Sequence, residues 1–284
     1  MILLLSTYRD ETARAVYEAL RARQDPPELL WLTDVELLSG VGWSHRQADG
    51  VTATTLRLSE GRSVNSTEIT AVFNRLSFLN PHYFSAFNEV DRQYAAGEMF
   101  ALLLSWLASL PCPFINPVGA RDLAGGSRSL LGWLQLAGQA GLPTRQAQFA
   151  TNARLVGPKS YTTYQPTVGA GLSQIALFAP VAPGLAGQNP ALLLSTVTQE
   201  TRRLLVIGAN VWGELPEMAA GCLKLARLSG TSVLECVFAR VDGPAPENWL
   251  LSAVNPLPSL APAEASAVAE LLANPQRLKS GGQR

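Results

Sequence analysis

Short apolar runs and helical apolar repeats alternate along the first third of the chain. Residues 2–5 are an apolar run, and Ala15, Val16, Ala19 and Leu20 then recur at the spacing of one helix face. Asp10, Glu11 and Thr12 put acids in the first turn of that helix, where the amide dipoles favour them. A second apolar run covers 29–32, and Asp34 stands as a cap before a short helical stretch over 35–38. Strand, helix, strand is the rhythm of a parallel sheet. Ala48-Asp49-Gly50 marks a turn between two candidate strands, the second being the Thr- and Val-rich stretch 51–58. Residues 69–73 predict a further strand that ends at Asn74-Arg75. Residues 90–110 are densely apolar with their few charges near the start, which predicts a long helix stopped by Pro111 and Pro113. Phe114-Ile115 is a two-residue strand fragment before Asn116-Pro117.

The second half is patterned differently. Residues 129–140 predict a helix ended by Gly141 and Pro143. Prolines at 158, 166, 180, 183 and 190 leave room only for short strands between 150 and 200. A strand follows over 203–207, a turn at Gly208-Ala209-Asn210, and a helix over 218–228. Residues 233–238 and 249–254 read as a strand pair, and 263–272 as an Ala-rich helix opened by Pro262. The pattern divides into a first lobe over 1–117, a second region over 118–275, and a disordered tail over 276–284. No internal repeat is visible.

Composition narrows the function. The 284 residues carry 22 Lys+Arg against 22 Asp+Glu, with 47% hydrophobic and 15% charged residues. A disordered chain needs the opposite balance, and a general nucleic-acid binder needs a cationic surplus. Cys112, Cys222 and Cys236 form neither a metal spacing nor a disulfide framework, which fits a cytoplasmic chain. No stretch reads as a signal peptide or membrane span. Only Lys159, Lys224 and Lys279 are lysines, leaving nineteen of the 22 cations as arginine.

Several common chemistries are missing. Nothing matches a phosphate-binding G-x-x-x-x-G-K-[ST] loop or a G-x-S-x-G nucleophile elbow. His45 and His82 lack metal-type partners in sequence and read as surface or structural histidines. Cys112 and Cys236 read as packing residues, and Gly169-Ala170-Gly171 as a plain turn. Asp34, Asp91 and Asp242 read as caps or turn residues.

The order of segments resembles the ATP-grasp superfamily, most closely the ligases that mature ribosomal peptides of the microviridin type. An arginine-bearing strand end matches Val72-Phe73-Asn74-Arg75, a long helix matches 91–110, and an Asn-Pro strand end matches Phe114-Ile115-Asn116-Pro117. Gly141-Leu142-Pro143-Thr144 and Thr151-Asn152 match the entry to the nucleotide lobe. Residues 202–208 match an Arg-strand-Gly, and 250–256 match an E-x-N-P strand end. The resemblance covers about two-thirds of the chain. It implies an α/β fold: an N-terminal parallel-sheet (pre-ATP-grasp) lobe followed by a reduced pair of α+β ATP-grasp lobes. It also implies a ligase that activates a carboxylate with Mg-ATP for attack by an amine or alcohol.

This sequence departs from that pattern at the chemistry. Ala253 stands where the family's metal-binding Glu belongs, leaving Asn255. The acid expected one strand earlier falls near Val237, with Glu235 two residues away on the same strand face. Ser127-Arg128 replaces an Asn-Lys, and Lys159 is the one lysine of the nucleotide region. That region spans about fifty residues, and its single acid is Glu200. The first reading is a degenerate ATP-grasp protein, a non-catalytic binding module or partner subunit in peptide modification that needs no cofactor. Arg75, Arg202 and Arg203 would then hold an anionic or peptide ligand, or form surface ion pairs. The second is an active carboxylate–amine or carboxylate–alcohol ligase acting on a peptide. There Arg128 and Lys159, with Arg202 and Arg203, would meet the nucleotide, and Glu235 and Asn255 would hold Mg²⁺. The third is an α/β protein unrelated to ATP-grasp. A protein or peptide partner is expected, together with homo-oligomerisation on base rates.

Overall fold

The computed structural model describes residues 1–39, 41–76, 79, 81–119, 122–124, 128–150, 161–166, 178–180, 191–195, 197–198, 200–241 and 248–279. At 39, 81, 82, 148–150, 161–166, 178–180, 191–195 and 279 it describes the backbone alone. In chain order the first elements are β1 (Ile2–Ser6), α1 (Glu11–Arg21), β2 (Leu29–Thr33), α2 (Asp34–Ser39), β3 (Gly42–Ala48), β4 (Val51–Arg57), β5 (Ser63–Asn65), β6 (Ala71–Asn74), α3 (Glu89–Ser109) and β7 (Phe114–Ile115). There follow α4 (Leu130–Ala140), β8 (Ala147–Ala150), β9 (Tyr161–Pro166), β10 (Phe178–Pro180), β11 (Ala191–Ser195), β12 (Thr201–Ile207) and β13 (Asn210–Gly213). The last are α5 (Ala219–Ser229), β14 (Val233–Arg240), β15 (Trp249–Asn255), α6 (Pro262–Ala273) and α7 (Pro275–Lys279). The chain divides into two compact units: Met1–Gly126 with Gly230–Val233 and Pro256–Arg284, and Ser127–Ser229 with Leu234–Asn255.

The first unit is built on a parallel sheet in the order β2-β1-β6-β7. All five residues of β1 are buried, as a strand covered on both faces requires. Leu3 and Leu5 face a core shared with Leu103, Trp106 and Leu107 of α3. Trp43 meets Trp106 edge-on at 5.1 Å, and burying such a ring stabilises by roughly 2–3 kcal/mol. Alternation sends Ile2 and Leu4 to the other face. Helix α1 starts at the Asp10 cap, whose carboxylate accepts from Ala13 N at 2.9 Å, and packs against α6. The Asp49-Gly50 turn joins β3 to β4, with φ of 53° and 76°. A type I′ hairpin demands that pair of positive values. Within the stretch expected as tail, α7 forms a short helix because Leu278 finds a buried place.

The second unit contains two antiparallel sheets. Strands β8–β11 pair in the order β10-β9-β11-β8, with β9, β10 and β11 inside the proline-rich region expected to hold only short strands. The other sheet has the order β13-β12-β14-β15. One of its faces packs Leu204, Leu234, Cys236, Phe238 and Leu251 against α4 and α5 through Trp133, Ala137, Cys222 and Leu225. The opposite side chains of β12, β14 and β15 carry the polar residues discussed next.

Candidate functional site

On β14 the buried positions Leu234, Cys236 and Phe238 alternate with the partly buried Glu235 and Val237. Period-two alternation therefore puts Glu235 and Val237 on the face away from α4 and α5. The antiparallel register sets Glu235 opposite Asn255 and Val237 opposite Ala253. The two positions to which the family pattern assigns acids thus face each other, and both are apolar. One step along, Glu235 and Asn255 form a polar pair.

Arg203 of β12 completes this group. Its Nε donates to Glu235 Oε1 at 2.5 Å, and Asn255 Nδ2 donates to Glu235 Oε2 at 3.1 Å. Glu235 is 17% exposed and Arg203 37%, so the pair is partly screened by water but still charge-assisted. Both carboxylate oxygens therefore already accept. Among the described residues, no group of three or more His, Cys, Asp or Glu converges as a metal site. Mg²⁺ takes near-octahedral oxygen, commonly from one or two carboxylates with phosphates and water. This cluster supplies one carboxylate, held by a guanidinium, and an amide whose nitrogen is turned toward it.

Arg202 does not join this group. Successive strand residues point to opposite faces, and Arg202 lies over the Trp249 ring at 4.9 Å. It also reaches Glu214 at 3.9 Å. Arg128 is exposed just before Ser129, the cap of α4, and lies 5.8 Å from the Trp133 ring centre. Lys159, Thr151-Asn152, Gly169-Ala170-Gly171 and Asp242 lie outside the described residues.

Arg75 sits in the first unit and is engaged there. Its Nε donates to Asp10 Oδ2 at 2.7 Å and its Nη1 to the Pro258 carbonyl at 3.0 Å. His45 is structural, with Nδ1 2.8 Å from Thr54 Oγ1 and Nε2 3.0 Å from Ser105 Oγ. Asp34 accepts from Tyr8 N and the Tyr83 hydroxyl, and Asp91 sits in the Asn88 cap of α3.

One arginine escaped the sequence reading. Arg145 is buried, and its Nη1 donates to Ser252 Oγ at 3.1 Å. The register of β14 and β15 passes from Val237–Ala253 to Phe238–Leu251, leaving Ser252 unpaired in a bulge. A parallel bridge between Thr144 and Leu251 brings Arg145 there. Only the position of Arg145 after Gly141-Leu142-Pro143-Thr144 could have pointed to it.

Nearly all of the chain aligns with solved structures. It is similar to the macrocyclase MdnC of Microcystis aeruginosa MRC, solved bound with precursor peptide MdnA, with TM-score 0.77 and 17% identity over 96% of this chain and 100% of that one. The chain has the ATP-grasp fold. A RiPP-associated ATP-grasp ligase of Chryseobacterium gregarium, solved with ADP and a leader and core peptide, gives TM-score 0.76 and 14% identity over 96% of each chain. A RimK domain ATP-grasp protein of Sphaerobacter thermophilus gives TM-score 0.54 and 13% identity over 96% of this chain and 100% of that one. No family model matches the chain, and no curated protein matches it in sequence. The α/β architecture expected from the segment order is therefore present. At these identities the likeness concerns the ATP-grasp fold and not the ligands or reactions of those proteins.

Proposed function

We propose that this ATP-grasp fold serves as a non-catalytic binding or partner subunit in peptide modification. The observation that carries the reading is the Arg203–Glu235–Asn255 cluster beside the apolar Val237–Ala253 pair. Phosphoryl transfer needs cations to neutralise the charge that develops on the transferred group. Here Glu235, the carboxylate of this cluster, is neutralised by an arginine of the same sheet. The peptide context comes from the solved neighbours, several of which hold precursor peptides. We read the chain as cytoplasmic, acting on a protein or peptide and not on nucleic acid. Among the described residues no helix is long and apolar enough to cross a membrane.

A second reading has its own support. Glu235 and Asn255 do converge, at 3.1 Å, and neighbours of this fold are solved with Mg and ADP or with AMPPNP. In that reading the chain is an ATP-dependent carboxylate–amine or carboxylate–alcohol ligase. Glu235 and Asn255 Oδ1 would hold Mg²⁺ after the amide turns over, with Arg128 and Lys159 toward the phosphates.

Thermal melting with and without millimolar Mg-ATP and Mg-ADP separates the two. A ligand at a hundredfold excess over Kd stabilises by roughly 2.7 kcal/mol, a shift of several degrees for a chain of this size. The proposal expects no shift with either nucleotide. A shift that requires Mg²⁺ and vanishes in Glu235→Ala would overturn the proposal and direct ligase assays to Glu235, Arg128 and Lys159 variants.

A further inference from the structure

Helix α3 is 21 residues long, yet the core uses mainly its second half, where Leu103, Trp106 and Leu107 are buried. Its first half and the turn before it leave large apolar side chains in water: Phe87 is 50% exposed, Val90 77% and Tyr94 70%. Eight large hydrophobic residues are exposed, by 38% or more, among the described residues, and four of them (Tyr83, Phe87, Val90, Tyr94) fall within 83–94. Such clustering marks a contact surface, whereas scattered exposed apolar residues need no explanation. An open groove of about 590 Å³ runs along this half of α3, floored by Phe84, Phe87, Met99 and Leu102.

The lining has a register. Phe87, Asp91, Tyr94 and Glu98 follow one another at steps of four, three and four, the seam spacing that receives a second helix. Asp91 and Glu98 are the charged residues of the lining. They lie one heptad apart, separated by the Tyr94 ring. Arg92 is not among the lining residues and pairs with neither acid: its Nη2 turns back to the Phe87 carbonyl. A second copy of this helix laid on the same heptad positions would bring acid to acid, which disfavours that self-pairing. A helix with apolar residues interrupted by cations seven apart matches both features of the seam.

We propose that the first half of α3 is the docking surface for an amphipathic helix of a partner protein, with Lys or Arg opposite Asp91 and Glu98. The surface lies in the first unit, and its test uses no nucleotide. It therefore stands or falls apart from the Mg-ATP question.

The test is fluorescence anisotropy with the full chain and two synthetic 21-residue helices. One carries leucines and lysines in the complementary heptad positions, and the other has glutamate in place of lysine. The lysine helix is expected to bind saturably, and the glutamate helix not to bind. Glu98→Lys should weaken the lysine helix several-fold. Asp91→Lys/Glu98→Lys should weaken it about tenfold and admit the glutamate helix, with both effects fading as salt rises. Tyr94→Ala should weaken the lysine helix at every salt concentration. Circular dichroism checks the fold, and Glu98→Lys carries the result if Asp91→Lys disturbs the Asn88 cap. Absence of binding, or equal binding to the wild type and the double variant, would overturn the proposal. So would a dimer in sedimentation equilibrium that Tyr94→Glu dissociates, because a second copy would then cover this face.

Discussion

Replacing Arg75 with methionine tests whether this arginine is structural or reserved for a ligand. Its side chain is 9% exposed and that of its partner Asp10 is 11% exposed. The guanidinium meets Asp10 Oδ2 at 2.7 Å and the Pro258 carbonyl at 3.0 Å, with Leu257 O at 3.5 Å. Methionine keeps the apolar stem and removes every donor. Asp10 would then retain only its cap bond to Ala13 N, at 2.9 Å, with its charge still out of water. Breaking a buried pair by removing one partner costs about 3–5 kcal/mol, because the remaining charge is uncompensated. At about 2–4 °C per kcal/mol, the melting temperature should fall by roughly 10 °C. The assay is a melt of Arg75→Met, Asp10→Asn and the double variant. Asparagine keeps a cap oxygen and carries no charge, so the double variant should lose less than the two single losses added together, by about 2 kcal/mol. Arg75→Met within about 0.5 kcal/mol of wild type, the range usual for surface changes, would refute this account and return Arg75 to the ligand candidates.

Gly213→Ala should disturb the site from the neighbouring strand. Gly213 has φ of 134°, and a Cβ there would lie 2.4 Å from the Arg203 carbonyl. A loss of about 2 kcal/mol or more is expected in chemical denaturation; an unchanged midpoint would contradict the β12–β13 register. The three cysteines are buried, so a thiol reagent at pH 8 should label none until denaturant is added. Hydrogen bonding with Cys222, then burial, pushes the Cys236 thiol well above its ordinary value of 9.0. The folded chain thus holds this proton more tightly than the unfolded chain. The corresponding stability is complete below pH 9 and is lost as pH rises above it, when the unfolded chain ionises first. Melting temperatures from pH 7.5 to 10.5 should show that decline, and Cys236→Ala should flatten it.

Much of the architecture was legible because local pattern and tertiary role agree. The apolar run of β1, the acids at the start of α1, the Asp49-Gly50 turn and the proline stop after α3 each state their structure within a few residues. The candidate site was only half legible. Glu235 and Asn255 could be placed on strands, and the register sets them opposite each other across β14 and β15. Arg202 and Arg203 stood as equals in the sequence. Their separation depends on which face of β12 meets the helices, and a chain reading Arg-Arg-Leu-Leu-Val-Ile has no alternation to reveal it. Arg145 was missed because its role depends on the Ser252 bulge of another strand.

The sequence by itself determined the elements, the α/β class and the order of segments that the ATP-grasp fold requires. It also determined that acids are absent at 237 and 253, since residue identity needs no coordinates. The tertiary structure decided what the remaining charges do. Arg75 lies against a carbonyl 183 residues further along the chain, and Arg203 against a carboxylate 32 residues away. Charge–charge contacts act over a few ångströms, while separation along the chain says little about separation in space. The partners of a buried guanidinium therefore become known only when the strands are in register. The exposed half of α3 follows the same logic. Its apolar residues belong to one dense helical run in the sequence, and only the end of the core packing shows those of the first half facing water.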